Sequence, residues 1–139
     1  MVKSYEILDH TADIGIVAYG KDLKEVFTNA ATGLLSLVID PREVGVKIKR
    51  DIEVNASDLE TLLVNWLNEL IFILDTKEIL LKDFKITEIS ETALKAKVSG
   101  EKIKKSKHHL KREVKAATYH HLKIEQSGEG WRAQVIFDI

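Results

Sequence analysis

Leu59-Glu60-Thr61-Leu62-Leu63-Val64-Asn65-Trp66-Leu67-Asn68-Glu69-Leu70-Ile71-Phe72-Ile73-Leu74 carries the strongest helical signal in this 139-residue chain. Leu59, Leu62, Leu63, Trp66, Leu67, Leu70, Ile73 and Leu74 recur at three- and four-residue intervals, the spacing of one helix face. Val64, Ile71 and Phe72 widen that stripe, so this helix is expected to be covered on more than one side. Ser57-x-x-Glu60 just before it reads as a capping box. The flanks have a different period. Residues 44–54 place Val44, Val46, Ile48, Ile52 and Val54 between Lys47, Lys49 and Arg50, which reads as a half-buried strand with a bulge near Arg50-Asp51. Ile79–Ile89 and Ala93–Val98 read as two strands joined by a Ser90-Glu91-Thr92 turn. A broad helix set among alternating segments decides the class.

The remaining chain agrees. Residues 2–8 and 14–19 read as strands around a polar segment from Asp9 to Asp13. Asp22, with Glu25 three positions on, is the expected N-cap of an earlier helix. Leu23, Val26, Phe27, Ala30, Ala31, Leu34 and Val38 supply its apolar face, and Asp40-Pro41 ends it. Val114–Glu125 and Trp131–Asp138 read as a last pair of strands joined by Gln126–Gly130. The fold class is therefore α+β: two amphipathic helices packed on a mainly antiparallel sheet in one compact domain, residues 1–139.

Composition narrows the function classes. Twenty-one Lys and Arg against 22 Asp and Glu leave a net charge of −1, so global charge does not mark a nucleic-acid binder. The absence of cysteine excludes disulfides, thiolate metal sites and cysteine nucleophiles. No apolar run approaches the ~20 residues that cross a bilayer. The N-terminal residues lack a signal peptide's apolar core, so a cytoplasmic location without membrane partners is expected. There is no phosphate-binding glycine loop, dinucleotide fingerprint or G-x-S-x-G elbow.

Three groups of residues remain as candidates for chemistry. Asp9, Asp13 and Asp138, with the carbonyl or carboxylate of Ile139, offer about half of the six to eight oxygens a Ca²⁺-type cation takes. The alternative for the same aspartates is turn formation through their own backbone. His10 lies inside the polar segment, whereas the pairs His108-His109 and His120-His121 lack the helical spacing of a zinc motif. On a strand, His120 and His121 would point to opposite faces. The stretch from Lys102 to Lys115 holds seven basic residues and no aromatic. It suits a solvated edge, or less readily a salt-sensitive contact with RNA or an acidic protein.

Three motifs then fall in a recognisable order. Tyr5–Gly15 with its His10-Thr11-Ala12-Asp13 core, Val114-Lys115-Ala116-Ala117-Thr118-Tyr119-His120, and Phe137-Asp138-Ile139 together resemble the archease family over essentially the whole chain. Ala117 departs slightly, where a larger aliphatic residue is expected. The resemblance implies a non-catalytic accessory protein of the RtcB-type RNA ligase, which joins tRNA halves using GTP and divalent metal. It implies promotion of ligase guanylylation and multiple turnover, and broader nucleotide use. It also implies a calcium-type site formed by Asp13, Asp138 and Ile139. Asp9, His10 and Lys115 would lie nearby as contacts for activation. The partner is then the ligase, with tRNA reached only through it. Two other classes compete: a metal-dependent hydrolase, and an RNA-binding or chaperone-like module built on residues 102–115.

Overall fold

A computed structural model describes residues 3–9 and 13–139. In chain order the elements are β1 (Tyr5–Asp9), β2 (Asp13–Gly20), α1 (Leu23–Val38), β3 (Ile48–Asn55) and α2 (Leu59–Lys77). They continue with β4 (Ile79–Ile89), β5 (Ala93–Lys102), β6 (Ala116–Ala117), β7 (Lys123–Ser127) and β8 (Gly130–Asp138). A short 3₁₀ turn, Pro41–Glu43, follows α1. All strand pairs are antiparallel, as the α+β reading requires, but they form two sheets instead of one. The larger runs β1-β2-β8-β6, with β7 also paired to β8; the smaller runs β3-β5-β4.

Each helix starts where a side chain satisfies an orphan amide. The Asp22 carboxylate accepts from the Glu25 N–H at 2.9 Å, and Glu25 accepts from the Lys21 N–H at 3.0 Å. This is the reciprocal arrangement read from the sequence. At α2 the expected Ser57 cap is replaced by Asp58, which accepts from the Thr61 N–H at 2.7 Å. The apolar stripe begins at Leu59, so the residue directly before it takes the cap. Helix α1 lies against β1, β2 and β8 and also meets β4, while α2 packs across β3, β4 and β5 and reaches β6 and β7. Trp66 joins the layers: its indole N–H donates to the Phe27 carbonyl at 3.0 Å, and Phe84 meets its ring edge-on at 6.3 Å. A buried indole needs such a partner.

Several expected strands change shape. The pairing of β3 with β5 runs without a shift from Ile48 to Asn55, so no bulge lies at Arg50-Asp51. Arg50 simply occupies a half-buried place opposite Val98, which a long aliphatic stem tolerates. The irregularities fall in β4 instead, between Leu81 and Asp83 and between Ile86 and Glu88. Residues 44–47 precede the strand, and Val44 ends the 3₁₀ turn. Val114–Glu125 is not one strand. It splits into β6 and β7, which share one edge of β8 and are separated by a turn in which the Leu122 N–H reaches the Tyr119 carbonyl. His121 in that turn has φ +51°, a left-handed conformation that no strand accommodates.

Candidate functional site

The two ends of the chain meet at one end of the larger sheet. Strand β2 begins at Asp13, and its register with β8 sets Asp13 opposite Asp138, Ile14 opposite Phe137 and Gly15 opposite Ile136. Side chains directly opposite in an antiparallel pair share a face, with Cβ atoms about 4.5–5.5 Å apart. Ile14 and Phe137 therefore point together into the core, where both are buried. Asp13 and Asp138 point together out of the other face. Asp138 and Ile139 are exposed and Asp13 is half-buried. Beyond β8, Ala116 pairs with Asp138, and the Lys115 N–H donates to the Asp138 carbonyl at 2.8 Å.

This donor set suits a hard cation. Two carboxylates about 5 Å apart at Cβ can reach a common ion, since Ca²⁺–oxygen distances are about 2.3–2.6 Å. The Ile139 main chain lies one residue further on. Among the described residues no group of three or more His, Cys, Asp or Glu is gathered in metal-binding geometry. An ion held here would therefore keep an open, partly hydrated shell. Asp9 does not join the pair: it is opposite Ile14, so alternation puts it on the helix-facing side. His10 lies outside the described residues.

The Archease protein family (MTH1598/TM1083) matches residues 5–139. The chain belongs to the archease family. Protein archease of Methanosarcina acetivorans is 43% identical over 141 residues, covering 99% of this chain and 97% of that one. Protein archease of Pyrococcus abyssi is 43% identical over 143 residues, covering 99% and 100%. The solution structure of Methanobacterium thermoautotrophicum protein 1598 aligns with a TM-score of 0.84 at 40% identity, over 99% of this chain and 100% of that one. The crystal structure of an archease, possible chaperone, from Thermotoga maritima shares the fold with a TM-score of 0.70 at 22% identity, over 95% and 94%.

Within this archease-family chain the other sequence candidates have different fates. His120 and His121 lie in the turn after β6, with ring centroids 4.1 Å apart, not on opposite faces of a strand. His109 is exposed, and both its N–H and its ring nitrogen meet the Glu43 carboxylate. His108 is buried in a cluster without a local sequence signature. Its Nδ1 accepts from the Lys104 N–H at 2.9 Å, which fixes the neutral tautomer with the proton on Nε2. Nε2 then donates to Glu101 Oε1 at 2.8 Å.

Glu101 is only 1% exposed, and the same oxygen also accepts from the Lys107 ammonium and the Gly45 N–H. Its other oxygen has no hydrogen bond among the described residues, although the Lys47 ammonium lies 3.7 Å away. The Lys107 ammonium first, then the Gly45 amide and His108, hold the Glu101 carboxyl down at about 2. A depressed carboxyl stabilises the fold fully above its unfolded value, and that contribution disappears as pH falls through the folded value. We expect Glu101→Gln to lower the melting temperature at pH 7 by roughly 5–10 °C, from charged hydrogen bonds lost in the core. The gap between wild type and variant should close between about pH 4.5 and pH 2. Thermal melts across that range check both statements.

The basic stretch is largely committed to the fold. Lys111 donates its N–H to the Val38 carbonyl and its ammonium to the Ser36 carbonyl, and the Arg112 guanidinium donates to the Leu37 carbonyl. Helix α1 has no basic residue in its own last turn, so these residues satisfy its orphan carbonyls and oppose its dipole. Lys102 does the same for α2 through the Lys77 carbonyl. With Lys107 on Glu101, four of the seven basic side chains have structural partners. Lys104, Lys105 and Lys115 have no hydrogen bond or ion pair from their ammonium groups among the described residues. Among those residues no helix is long and apolar enough to cross a membrane.

Proposed function

We propose that this chain is a non-catalytic activator of an RtcB-type tRNA-splicing RNA ligase. It promotes guanylylation of the ligase and multiple turnover, and it broadens the nucleotides the ligase accepts. The work is done by the acidic tip, with Asp13, Asp138 and the Ile139 main chain holding calcium or another hard divalent cation. Such an ion supplies positive charge and open coordination positions to whatever enters its shell. The observation that carries this reading is the register of β2 on β8. It brings carboxylates 125 positions apart in the sequence to opposite places at an exposed sheet end. Family membership and the open donor set support it.

The chain's own residues divide the task. Asp13 and Asp138 provide the charge, and Lys115, tied to Asp138 through its main-chain N–H, is the candidate to meet a phosphate or a carboxylate of the ligase. Asp9, the last residue of β1, and His10, which follows it in the sequence, remain candidates for ligase contact. The alternative RNA-binding or chaperone-like reading of residues 102–115 has less support, because helix ends and Glu101 already engage most of those cations. The test is a ligation assay with the cognate ligase, GTP and excess RNA, with and without this protein. Several joining events per ligase molecule are expected only when the protein is present. Equal turnover in both arms would refute the proposal. RNA joining or phosphoester cleavage by the protein alone would favour an enzyme instead.

A further inference from the structure

We infer that Asn68, midway along α2, is a positioning residue that sets the geometry of the Asp13–Asp138 cation site; this rests on the proposed reading of that tip. Strand β6 is two residues long and sits at the edge of the sheet next to Asp138. Two residues cannot hold a register unaided. Upstream of β6 runs a segment without regular structure, and downstream comes the left-handed turn at His121. On the inner side the strand is tied to β8: the Lys115 N–H reaches the Asp138 carbonyl, and the Thr118 N–H reaches the Ile136 carbonyl at 3.0 Å. Main-chain groups of successive residues in an antiparallel strand face opposite sides. Alternating from Thr118, the N–H and carbonyl of Ala117 face away from β8, on a side where no further strand pairs among the described residues.

Asn68 fills that place. Its Oδ1 accepts from the Ala117 N–H at 2.8 Å, and its Nδ2 approaches the Ala117 carbonyl at 3.5 Å. A primary amide carries the same donor and acceptor as a peptide edge, so one side chain stands in for a missing strand. An aliphatic residue there would favour the helix but would leave the amide of Ala117, a buried residue, without its partner. Asp138 is thus held between β2 on one side and an Asn68-clamped β6 on the other. Loosening β6 frees the carbonyl of Asp138 and the main chain of Ile139, and so changes how the donors converge. Groups that orient metal ligands from behind change affinity by about 10–100-fold when removed.

Asn65 provides an internal control. It lies one turn earlier on the same helix, and its Nδ2 donates to the Asn55 carbonyl of the smaller sheet, away from the tip. The experiment titrates calcium into the wild-type, Asn68→Ala, Asn65→Ala and Asp138→Asn proteins by calorimetry, and follows amide exchange at Lys115 and Thr118. Asn68→Ser, which trims the amide to one short hydroxyl, is read the same way should Asn68→Ala fail to fold. The expected result is calcium affinity about tenfold weaker for Asn68→Ala, unchanged for Asn65→Ala and lost for Asp138→Asn. Exchange at Lys115 and Thr118 should quicken in Asn68→Ala alone. Wild-type affinity in Asn68→Ala overturns this inference and leaves the cation site standing. No calcium binding by the wild-type protein, or full binding by Asp138→Asn, overturns the cation site and this inference together.

Discussion

Asp138→Ala, and separately Asp13→Ala, should return the ligase to its unaided turnover while both variants stay folded. The stability half of this result follows from the geometry. Neither carboxylate has a hydrogen bond or ion pair among the described residues, and they face one another across adjacent strands. Like charges in directly opposed positions destabilise a sheet by roughly 0.2–1 kcal/mol. In a chelator each alanine variant should therefore melt at the wild-type temperature or roughly 1–3 °C above it. Added calcium should raise the melting temperature of the wild type and leave the variants unmoved, because only the intact pair gains from the ion. Melting curves and the turnover assay on the same samples check the two halves. Full stimulation by both folded variants would remove the acidic tip from the mechanism.

Gly100→Ala should abolish cooperative folding. Gly100 lies in β5 opposite Leu81, next to the place where β4 shifts register. A Cβ at Gly100 would meet the Leu80 carbonyl oxygen at 1.8 Å and the Leu81 Cα at 2.8 Å. Both are backbone atoms of the neighbouring strand, so no side-chain rotation relieves the clash. The strands would have to part, beneath Leu80 and Leu81, which are buried in the core. Overpacking a core costs about 1–3 kcal/mol even where side chains can yield, and forcing main chains apart costs more. That is a large part of the roughly 5–15 kcal/mol that holds a domain together. Circular dichroism melts and solubility after expression read the outcome. Gly128→Asn is the matched control: Gly128 has φ +62° with open space around it, and asparagine tolerates that conformation.

The parts of this fold that were legible in the sequence are those with local causes. Asp22 with Glu25, the apolar repeat from Leu59, and the Asp40-Pro41 stop each act within a turn or two, and all reappear in the structure. The cap of α2 falls on Asp58 and not on Ser57 because both side chains are good caps, and only the phase of the stripe selects between them. Arg50 looked like a bulge because its charge broke the alternation, whereas its stem lies on the buried side. The left-handed turn at His121 leaves no mark, since no glycine announces it.

At the tip, the pairing of Asp13 with Asp138 was anticipated from strand ends, but the exclusion of Asp9 needed the register. The duties of Lys102, Lys107, Lys111 and Arg112 were illegible, because a carbonyl at a distant helix end carries no sequence signature. Glu101 and His108 were hidden for the same reason, and so was Asn68. It reads as a polar interruption in an apolar stripe until Ala117 is seen opposite it.

Strand β8 occupies the interior of the larger sheet, with β2 along one margin and β6 and β7 along the other. During translation β8 leaves the ribosome after every other strand, so until then the β1–β2 hairpin and β7 lack the strand that joins them. Nascent chains must wait with the margin of β2 uncovered. A premature stop codon before Gly130 would remove the partner of the hairpin and half of the acidic pair in the same event, leaving no half-built tip to compete with finished molecules.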